Sequence, residues 1–550
     1  MFWKRSLLSA ALAALTLAGC ATDPEVAKRE YVRSGDAYVA QQKLREAVVE
    51  YRNAVKQDPR FGEARLKLAQ TYIELGDMGS AFQEYLRAAE VLPADADTQV
   101  KVGEMLLAGG HFEDAKSRAE KALATRPNHV PALILRANAL AGLNKLEDAV
   151  AEVENAIRTD PDRSESYANL GLMQLMRGDR AQAEAAFRKA VDTNQKSTQA
   201  RLALGNFYAV SGKRDLAEEQ FKAALDIDAR DLLANRALAY FYIASGRAAQ
   251  AEPHLKVVAE VAPGDTGKVV LADYYISMRR TDDARKLLEA VTTSGSGAFA
   301  TAKLRLAALG VIGGDLTAAM RQVEDVLAKQ PSHADALIAK AELQARSGKW
   351  DDSLATARAA VTANPQSARA QFVLGRMLAQ TRDETSAIAA FNQALQLNPR
   401  LADAELELAK IHLSHGRLDD AERFAHGAIT KLAGYAQAHL LLARIYLMKG
   451  EPSKAEPSLK ALATAFPDSP AVQTEVGLLE TAKRNRTAAR AAFTRALAKN
   501  PTYVEALAGL NQLDLEEKRT DAVKARMTDA LRTKPHDGGV LLLASRAYGS

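Results

Sequence analysis

Small and apolar residues recur along this chain at a fixed interval of 34 residues. The clearest series is alanine, at positions 47, 81, 115, 149, 183, 217 and 251, resuming at 319, 387, 421, 455 and 489. Proline keeps the same interval at 59, 93, 127, 161, 263, 331, 365, 399, 467, 501 and 535. Series that stay in phase over most of a chain predict a repeat architecture rather than several independent domains.

Each unit reads as two helices joined by a turn, and residues 164–197 show the pattern. Apolar and small residues at helical spacing predict a first helix, and Gly178 ends it where a left-handed cap residue is favoured. Ala183 and Phe187 mark the apolar face of a second helix. The proline near the end of each unit prevents the second helix from continuing and forces a turn into the next unit. Small residues where the two helices cross allow their backbones to approach closely. An aromatic side chain fills the wedge-shaped space between neighbouring helices.

This pattern resembles the tetratricopeptide repeat (TPR), which has a 34-residue period, a small residue at position 8, an aromatic at 11, alanines at 20 and 27, and proline at 32. Tyrosines on or within one residue of position 11 are Tyr38, Tyr72, Tyr208, Tyr242, Tyr275, Tyr446 and Tyr548. The resemblance implies an all-α fold, a right-handed α-solenoid superhelix of about fifteen tandem TPR helix pairs. In such a solenoid each unit contacts only its neighbours.

The repeat frame accounts for most of the chain. Residues 28–537 hold fifteen TPR units, and residues 538–550 form the first helix of a further repeat or a capping helix. In the zone 264–315 the alanine series is one residue early at Ala284, and glycine is frequent between the helices. We expect a bend or hinge in this zone, and a variation in loop length without a mechanical role is the alternative.

The first twenty residues carry a different pattern. Lys4 and Arg5 precede an uncharged run from Leu7 to Leu17, which is too short to span a bilayer and suits a secretory signal. The run is followed by Ala18 and Gly19, and then by Cys20.

The tetrapeptide Leu17-Ala18-Gly19-Cys20 resembles the lipobox of bacterial lipoproteins, in which cleavage precedes the cysteine. The resemblance implies a lipoprotein signal peptide at residues 1–19 and a lipidated tether at residues 20–27, with acyl chains on Cys20 that anchor the protein to a membrane. An ordinary signal peptide with a chance cysteine is the alternative. Because Ala21 rather than aspartate follows the cysteine, the resemblance favours the outer membrane of a Gram-negative bacterium, facing the periplasm.

The composition of the chain argues against several kinds of site and function. The chain has 550 residues, one cysteine and a formal net charge of +5, which argues against internal disulfides, cysteine-based zinc sites and nucleic-acid binding. No nucleophile elbow, zincin motif or dinucleotide-binding loop occurs in the sequence. His412 and His415 are three residues apart, but His412 takes a position usually held by core tyrosine. We therefore expect a non-catalytic protein with no metal and no cofactor.

In the TPR family, first-helix positions 2, 5, 9, 12 and 13 line a concave groove that binds protein or extended-peptide ligands. Asparagine at such a position in family members bonds the ligand backbone, which selects Asn138 and Asn206; the alternative is that both are merely exposed. The candidate groove residues are Asn138, Leu172, Asn206, Arg236, Tyr240 and Asp273.

The leading functional hypothesis is a membrane-anchored protein–protein interaction scaffold of the cell envelope that assists assembly, protein sorting or exopolysaccharide export. In overall plan the chain is similar to the TPR-repeat lipoproteins of the PEP-CTERM/exosortase system. Pilus and outer-membrane assembly lipoproteins are alternatives. A further alternative is the TPR portion of a longer protein with a C-terminal catalytic domain such as a glycosyltransferase.

Overall fold

A computed structural model describes residues 23–295 and 297–549 of the chain, and within these ranges the fold is helical throughout, without a strand. The helices of the first half are α1 (Pro24–Ala40), α2 (Leu44–Gln57), α3 (Gly62–Glu74), α4 (Met78–Val91), α5 (Ala96–Ala108), α6 (Phe112–Thr125), α7 (Val130–Gly142), α8 (Leu146–Thr159), α9 (Ser164–Arg177), α10 (Arg180–Thr193), α11 (Thr198–Val210), α12 (Arg214–Ile227), α13 (Leu232–Ala244), α14 (Glu252–Val261), α15 (Thr266–Ser277) and α16 (Thr281–Thr293). Short 3₁₀ turns lie at Ala248–Ala251 and Pro263–Asp265.

The remaining helices continue the same alternation. They are α17 (Phe299–Ile312), α18 (Leu316–Lys329), α19 (Ala334–Arg346), α20 (Trp350–Ala363), α21 (Ala368–Gln380), α22 (Glu384–Leu397), α23 (Ala402–Ser414), α24 (Leu418–Lys431), α25 (Ala436–Met448), α26 (Pro452–Ala465), α27 (Pro470–Ala482), α28 (Arg486–Lys499), α29 (Val504–Glu516), α30 (Thr520–Thr533) and α31 (Gly538–Gly549). From α1 to α16 and from α18 to α31, consecutive helices pack against each other, so odd-numbered and even-numbered helices are the first and second helices of each pair. The predicted all-α solenoid of tandem helix pairs is confirmed.

Helix contacts divide the chain into two compact units, one ending at Arg305 and the other starting at Leu306. The division falls inside α17. Close to it, Gly264 and Asp265 both adopt left-handed backbone angles, with φ of 62° and 61°, immediately before α15. The bend or hinge expected at 264–315 stays a prediction.

The chain enters the fold at α1. The side chain of Asp23 accepts a hydrogen bond from the backbone N–H of Glu25 at 3.0 Å, and Pro24 occupies the first helical position, which is a favourable helix start. The helix therefore begins four residues before Lys28, within the predicted tether. The predicted signal peptide and Cys20 lie outside the described residues.

The pair α9–α10 shows how the sequence builds a unit. Gly178 ends α9 with φ of 89°, a left-handed conformation that glycine adopts without steric cost. The side chain of Asp179 then caps α10 by accepting a hydrogen bond from the backbone N–H of Gln182. Ala183 and Phe187 are buried on the face that α10 turns towards α9.

The crossing of the two helices is set by a small residue against a large one. A Cβ atom placed on Gly171 would lie 2.8 Å from ring atoms of Phe187, so only glycine lets the ring pack against the backbone of α9. The same close approach recurs at Gly35 with Tyr51, Gly205 with Phe221, Gly375 with Phe391 and Gly477 with Phe493.

Consecutive pairs are joined by a polar cluster around a glutamate of the second helix. Glu218 on α12 accepts hydrogen bonds from Tyr242 at 3.1 Å and pairs with Arg247 at 2.7 Å and Lys222 at 2.8 Å. Lys222, then Arg247 and Tyr242, lower the pKa of Glu218 to about 2, so the carboxylate stays ionised against its partial burial. The cluster recurs at Glu184 with Tyr208 and Lys213, and at Glu252 with Tyr275 and Arg280.

Candidate binding cleft between α9 and α11

A cleft of about 370 Å³ opens between two successive first helices, α9 and α11. Its lining is mainly apolar and consists of Ala168, Asn169, Leu172, Leu175, Phe187, Ala203, Asn206, Phe207 and Val210. The cleft forms because the facing residues of the two helices are small at Ala168 and Ala203, which leaves space that a larger side chain would fill.

The floor of the cleft is rigid and its rim is apolar. Phe187 and Phe207 are buried with ring centroids 5.4 Å apart, within the range of favourable aromatic contact. At the rim, Leu172 is 44% exposed and Val210 is 71% exposed. Large apolar side chains that are exposed together around a concavity are typical of a surface that binds a partner.

Two amide side chains supply the polar groups of the cleft. Nδ2 of Asn169 donates to the backbone carbonyl of Glu165 at 2.8 Å, which leaves its Oδ1 available as an acceptor. The side chain of Asn206 is exposed and makes no hydrogen bond with the described residues. A smaller polar pocket of about 160 Å³, lined in part by Ser164 and Gln199, continues the cleft.

The six predicted groove residues do not all meet. Leu172 and Asn206 come together in the cleft. Tyr240 is half exposed one first helix further on, on α13, and Arg236 is exposed one turn before it. The other two lie apart from the cleft lining: Asn138 is half-buried on α7, and Asp273 on α15 forms an ion pair with Arg305, N to O 2.7 Å. The contribution of each to binding stays a prediction.

Several lining residues were missed by the sequence reasoning. Val210 occupies position 13, one of the groove positions of the family, and could have been selected on that basis. Asn169 occupies position 6, which the family pattern does not mark. Phe187 was assigned to packing alone, and the structure shows that its buried ring, together with that of Phe207, also forms the floor of the cleft.

The described residues contain no arrangement that is typical of a metal site. Across residues 23–295 and 297–549, no group of three or more His, Cys, Asp or Glu side chains is arranged to hold a metal ion. His412 is largely buried and stacks on Phe424 with ring centroids 5.1 Å apart, as expected for a core position. Burial lowers the pKa of His412, which favours its neutral form.

Among the described residues, none of the helices combines the length and apolar character needed to cross a membrane.

Comparison with protein families gives repeated matches along the chain. Models described as tetratricopeptide repeat match residues 62–95, 106–171, 169–231, 269–335, 313–363, 338–402, 378–428 and 406–470, and a model described as TPR repeat matches residues 35–76. Together the matches cover well over half of the 550 residues. No curated protein sequence matches the chain.

Solved structures resemble the chain only loosely. A chain of the APC/C hetero-tetramer Cut9–Hcn1 is 12% identical, with 98% of both chains covered and a TM-score of 0.49. A chain of Naa15/Naa10 bound to HypK-THB is 13% identical, with 95% of this chain and 96% of that chain covered and a TM-score of 0.28. A tetratricopeptide repeat protein from Parabacteroides merdae is 21% identical, with 47% of this chain and 98% of that chain covered and a TM-score of 0.29.

Proposed function

Because this chain belongs to the tetratricopeptide-repeat family, whose repeats are protein–protein interaction scaffolds, we propose that it is a non-catalytic scaffold that holds an extended segment of a partner protein in the cleft between α9 and α11. The observation that carries the proposal is the cleft itself, with an exposed apolar rim at Leu172 and Val210 over a rigid aromatic floor. A cleft of this size accommodates an apolar side chain of the bound segment.

The two amide side chains of the cleft can form hydrogen bonds with the bound segment. The free Oδ1 of Asn169 can accept a hydrogen bond from a backbone N–H of the bound segment. The unpaired amide of Asn206 can both donate to and accept from its backbone. No ionisable side chain lines the cleft itself, so the part of the segment that lies in it is selected by shape and by its backbone, whereas Glu165 lines the smaller pocket that continues the cleft.

Peptides selected from a displayed random library on the immobilised full chain provide the test. We expect the selected peptides to share a large apolar residue and to bind Leu172→Asp and Val210→Asp at least about tenfold more weakly, because a carboxylate in the cleft loses hydration when a peptide covers it. Val49→Asp, which places the same charge on an exposed position of the second helix α2, is the matched control.

A second pair of variants tests the amide. Asn206→Ala is expected to weaken the selected peptides several-fold, whereas Asn138→Ala, at the same repeat position but away from the cleft lining, leaves them unchanged. Selected peptides that bind wild type, Leu172→Asp, Val210→Asp and Asn206→Ala equally well would exclude the cleft as the binding site.

We propose further that lipid chains on Cys20 hold the scaffold on the periplasmic face of the outer membrane of a Gram-negative bacterium. The support is the sequence Leu17-Ala18-Gly19-Cys20 after a short apolar run. The similarity in plan to PEP-CTERM/exosortase-associated lipoproteins suggests a role in protein sorting or exopolysaccharide export.

Fractionation of cells tests the anchor. The variant Cys20→Ala is expected to move from the membrane fraction to the soluble fraction, because a thioether-linked lipid can no longer form and the remaining chain lacks its acyl anchor. Labelling with a radioactive fatty acid provides a direct readout, with wild type labelled and the variant unlabelled. Retention of the unlabelled variant in the membrane fraction would show that another feature anchors the protein.

A further inference from the structure

A cavity of about 390 Å³ lies in the second unit, between the second helices α20 and α22 and the first helix α21. Its first-helix lining consists of Gln371, Leu374 and Leu378, which occupy positions 4, 7 and 11 of their repeat. None of these is a groove position of the family, so the cavity is separate from the concave groove. Among the described residues that line it, Arg358 is the only one with an ionisable side chain.

The guanidinium group of Arg358 is without a partner. The residue is exposed on α20, and its side chain makes neither a hydrogen bond nor an ion pair with any residue that the structure describes. Side chains three and four residues away share the same helix face, and here they are those of Leu354, Ala355, Val361 and Thr362. The positive charge is therefore not neutralised within its own helix.

Comparison with another repeat shows what has been lost. Arg188 occupies the same repeat position, and it donates hydrogen bonds from Nε to the hydroxyl group of Tyr208 at 3.0 Å and from Nη2 to Glu184 at 2.9 Å. The equivalents of that tyrosine and that glutamate in the second unit are both leucine, Leu378 and Leu354. The arginine is thus retained, whereas the hydroxyl and carboxylate groups that bind it are replaced by apolar side chains.

A second polar pair is missing from the same repeat. In the first unit, Oε1 of Gln99 accepts a hydrogen bond from Nη1 of Arg118 at 3.1 Å, which joins α5 to α6. The equivalent residues in the second unit are Gln371 and Ala390, and alanine offers no donor and leaves space beside the amide. The amide group of Gln371 makes no hydrogen bond within the described part of the chain and lines the cavity.

The two losses leave an apolar cavity with unused polar groups. Leu374, Leu378 and Ala390 supply apolar walls. A guanidinium group binds a carboxylate through two parallel N–H donors, a charge-assisted pair that is stronger than neutral hydrogen bonds. The equivalent Arg52 lies 5.6 Å from the ring centroid of Tyr72, so an arginine at this repeat position packs on an aromatic ring where one is present. A ligand that supplies a ring and a carboxylate group therefore matches this cavity.

We propose that the cavity binds a small aromatic carboxylate. The carboxylate of the ligand pairs with Arg358, and its ring packs on Leu374 and Leu378. The amide of Gln371 offers a further hydrogen-bond donor. Aspartate and glutamate side chains of a protein have the carboxylate but not the ring, so a free aromatic acid fits the site better than an acidic protein segment.

Ligand-observed saturation-transfer NMR with the full chain tests the site. The probes are hydrocinnamate, its uncharged amide hydrocinnamide, and hexanoate, which has the carboxylate without the ring. We expect hydrocinnamate to bind about tenfold or more tightly than hydrocinnamide, because the amide cannot form the ion pair with Arg358. Hexanoate is expected to bind several-fold more weakly than hydrocinnamate, because it offers no ring to the guanidinium group.

Two variants locate the binding. Arg358→Gln is expected to weaken hydrocinnamate about tenfold and to leave the weak binding of hydrocinnamide unchanged, because it removes the charge. Arg400→Gln, the same charge loss at an exposed turn between α22 and α23, is the matched control and is expected to have no effect. Leu378→Tyr restores the residue found at Tyr208, and its ring is expected to fill the cavity and abolish binding.

Three results would overturn the proposal: equal binding of hydrocinnamate and hydrocinnamide, wild-type affinity in Arg358→Gln, or equal binding of hexanoate and hydrocinnamate. Tighter binding of the peptide Gly-Gly-Phe than of hydrocinnamate would identify a polypeptide C-terminus as the ligand and would likewise exclude a small molecule. Leu172→Asp in the first unit is expected to leave hydrocinnamate binding unaffected, so failure of this site and failure of the first-unit cleft are distinguishable.

Discussion

Replacing Gly375 with alanine is expected to lower the free energy of unfolding by about 1–2 kcal/mol, although alanine is the better helix former by about 1 kcal/mol. A Cβ atom at Gly375 would lie 2.7 Å from Cε1 of Phe391, closer than carbon atoms pack. Phe391 is fully buried, so its ring cannot move away without displacing its neighbours. Urea unfolding of wild type and variant measures the difference.

The same argument predicts which second substitution restores stability. Phe391→Leu alone removes buried volume and is expected to cost about 1–2 kcal/mol, but together with Gly375→Ala it accommodates the new methyl group. The double variant is therefore expected to be more stable than the sum of the single effects predicts, by about 1–2 kcal/mol in a double-mutant cycle. Purely additive effects, or a stabilising Gly375→Ala, would contradict the close approach.

Other repeats already combine alanine in the first helix with leucine in the second, as the double variant would. Where the second helix places leucine in the wedge, as at Leu255 and Leu459, the facing first helix has alanine. Ala69 opposite Tyr85 is the exception, and there the tyrosine retains some exposure, so its ring has room that Phe391 lacks. The match in size is confined to repeats with a large side chain in the wedge, because other repeats pair two small residues, such as Gly103 with Ala119 and Ala341 with Ala357.

The repeat fold could be predicted from the sequence, whereas the surface that forms the cleft could be predicted only in part. The left-handed end of α9 at Gly178 and the buried Phe187 follow from local rules, because glycine cap positions and helical apolar spacing need no knowledge of the neighbours. The family pattern also marks position 9, and the structure places Leu172 and Asn206, both at that position, in the lining of the cleft, while their part in binding stays a prediction.

The cleft itself could not be predicted, because its width depends on two alanines in different repeats, Ala168 and Ala203, facing each other across α9 and α11. The polar clusters were missed for a related reason. Glu218 and Tyr242 are 24 residues apart, and each alone is an unremarkable helix residue until the packing of successive pairs brings them together. Periodicity fixes which residues are internal, whereas pairs between repeats need the coordinates.

The junction between α28 and α29 contains an inverted version of this cluster. At the two positions that hold glutamate and tyrosine elsewhere, the chain has Arg490 on α28 and Asp514 on α29. Asp514 is 1% exposed, and its carboxylate pairs with Arg490 at 2.6 Å and with Arg526 on α30. At this junction the two helices are therefore joined by a buried ion pair in which the second helix supplies the cation and the following first helix supplies the carboxylate.

Asp514→Ala is expected to lower the free energy of unfolding by about 3 kcal/mol at neutral pH, because two partly buried guanidinium groups lose the carboxylate that neutralises them. Arg490→Glu combined with Asp514→Tyr rebuilds the pair found in other repeats and is expected to recover part of that loss. Arg532→Ala, which removes an exposed ion pair with Asp529 on the same helix as Arg526, is the control and is expected to change stability by less than about 0.5 kcal/mol.

The pH dependence of the Asp514→Ala effect follows from the direction of the pKa shift. Burial alone would raise the pKa of Asp514, but hydrogen bonds from Arg526 and Arg490 hold it below its usual value of 3.8. The stabilisation is therefore fully present above pH 3.8 and is lost as the pH falls through the lower pKa of the folded state. The difference between wild type and Asp514→Ala should be constant from neutral pH down to about 4 and shrink below it. A difference that grows as the medium is acidified would mean that the carboxyl group is protonated in the folded protein and that the buried ion pair does not hold the junction.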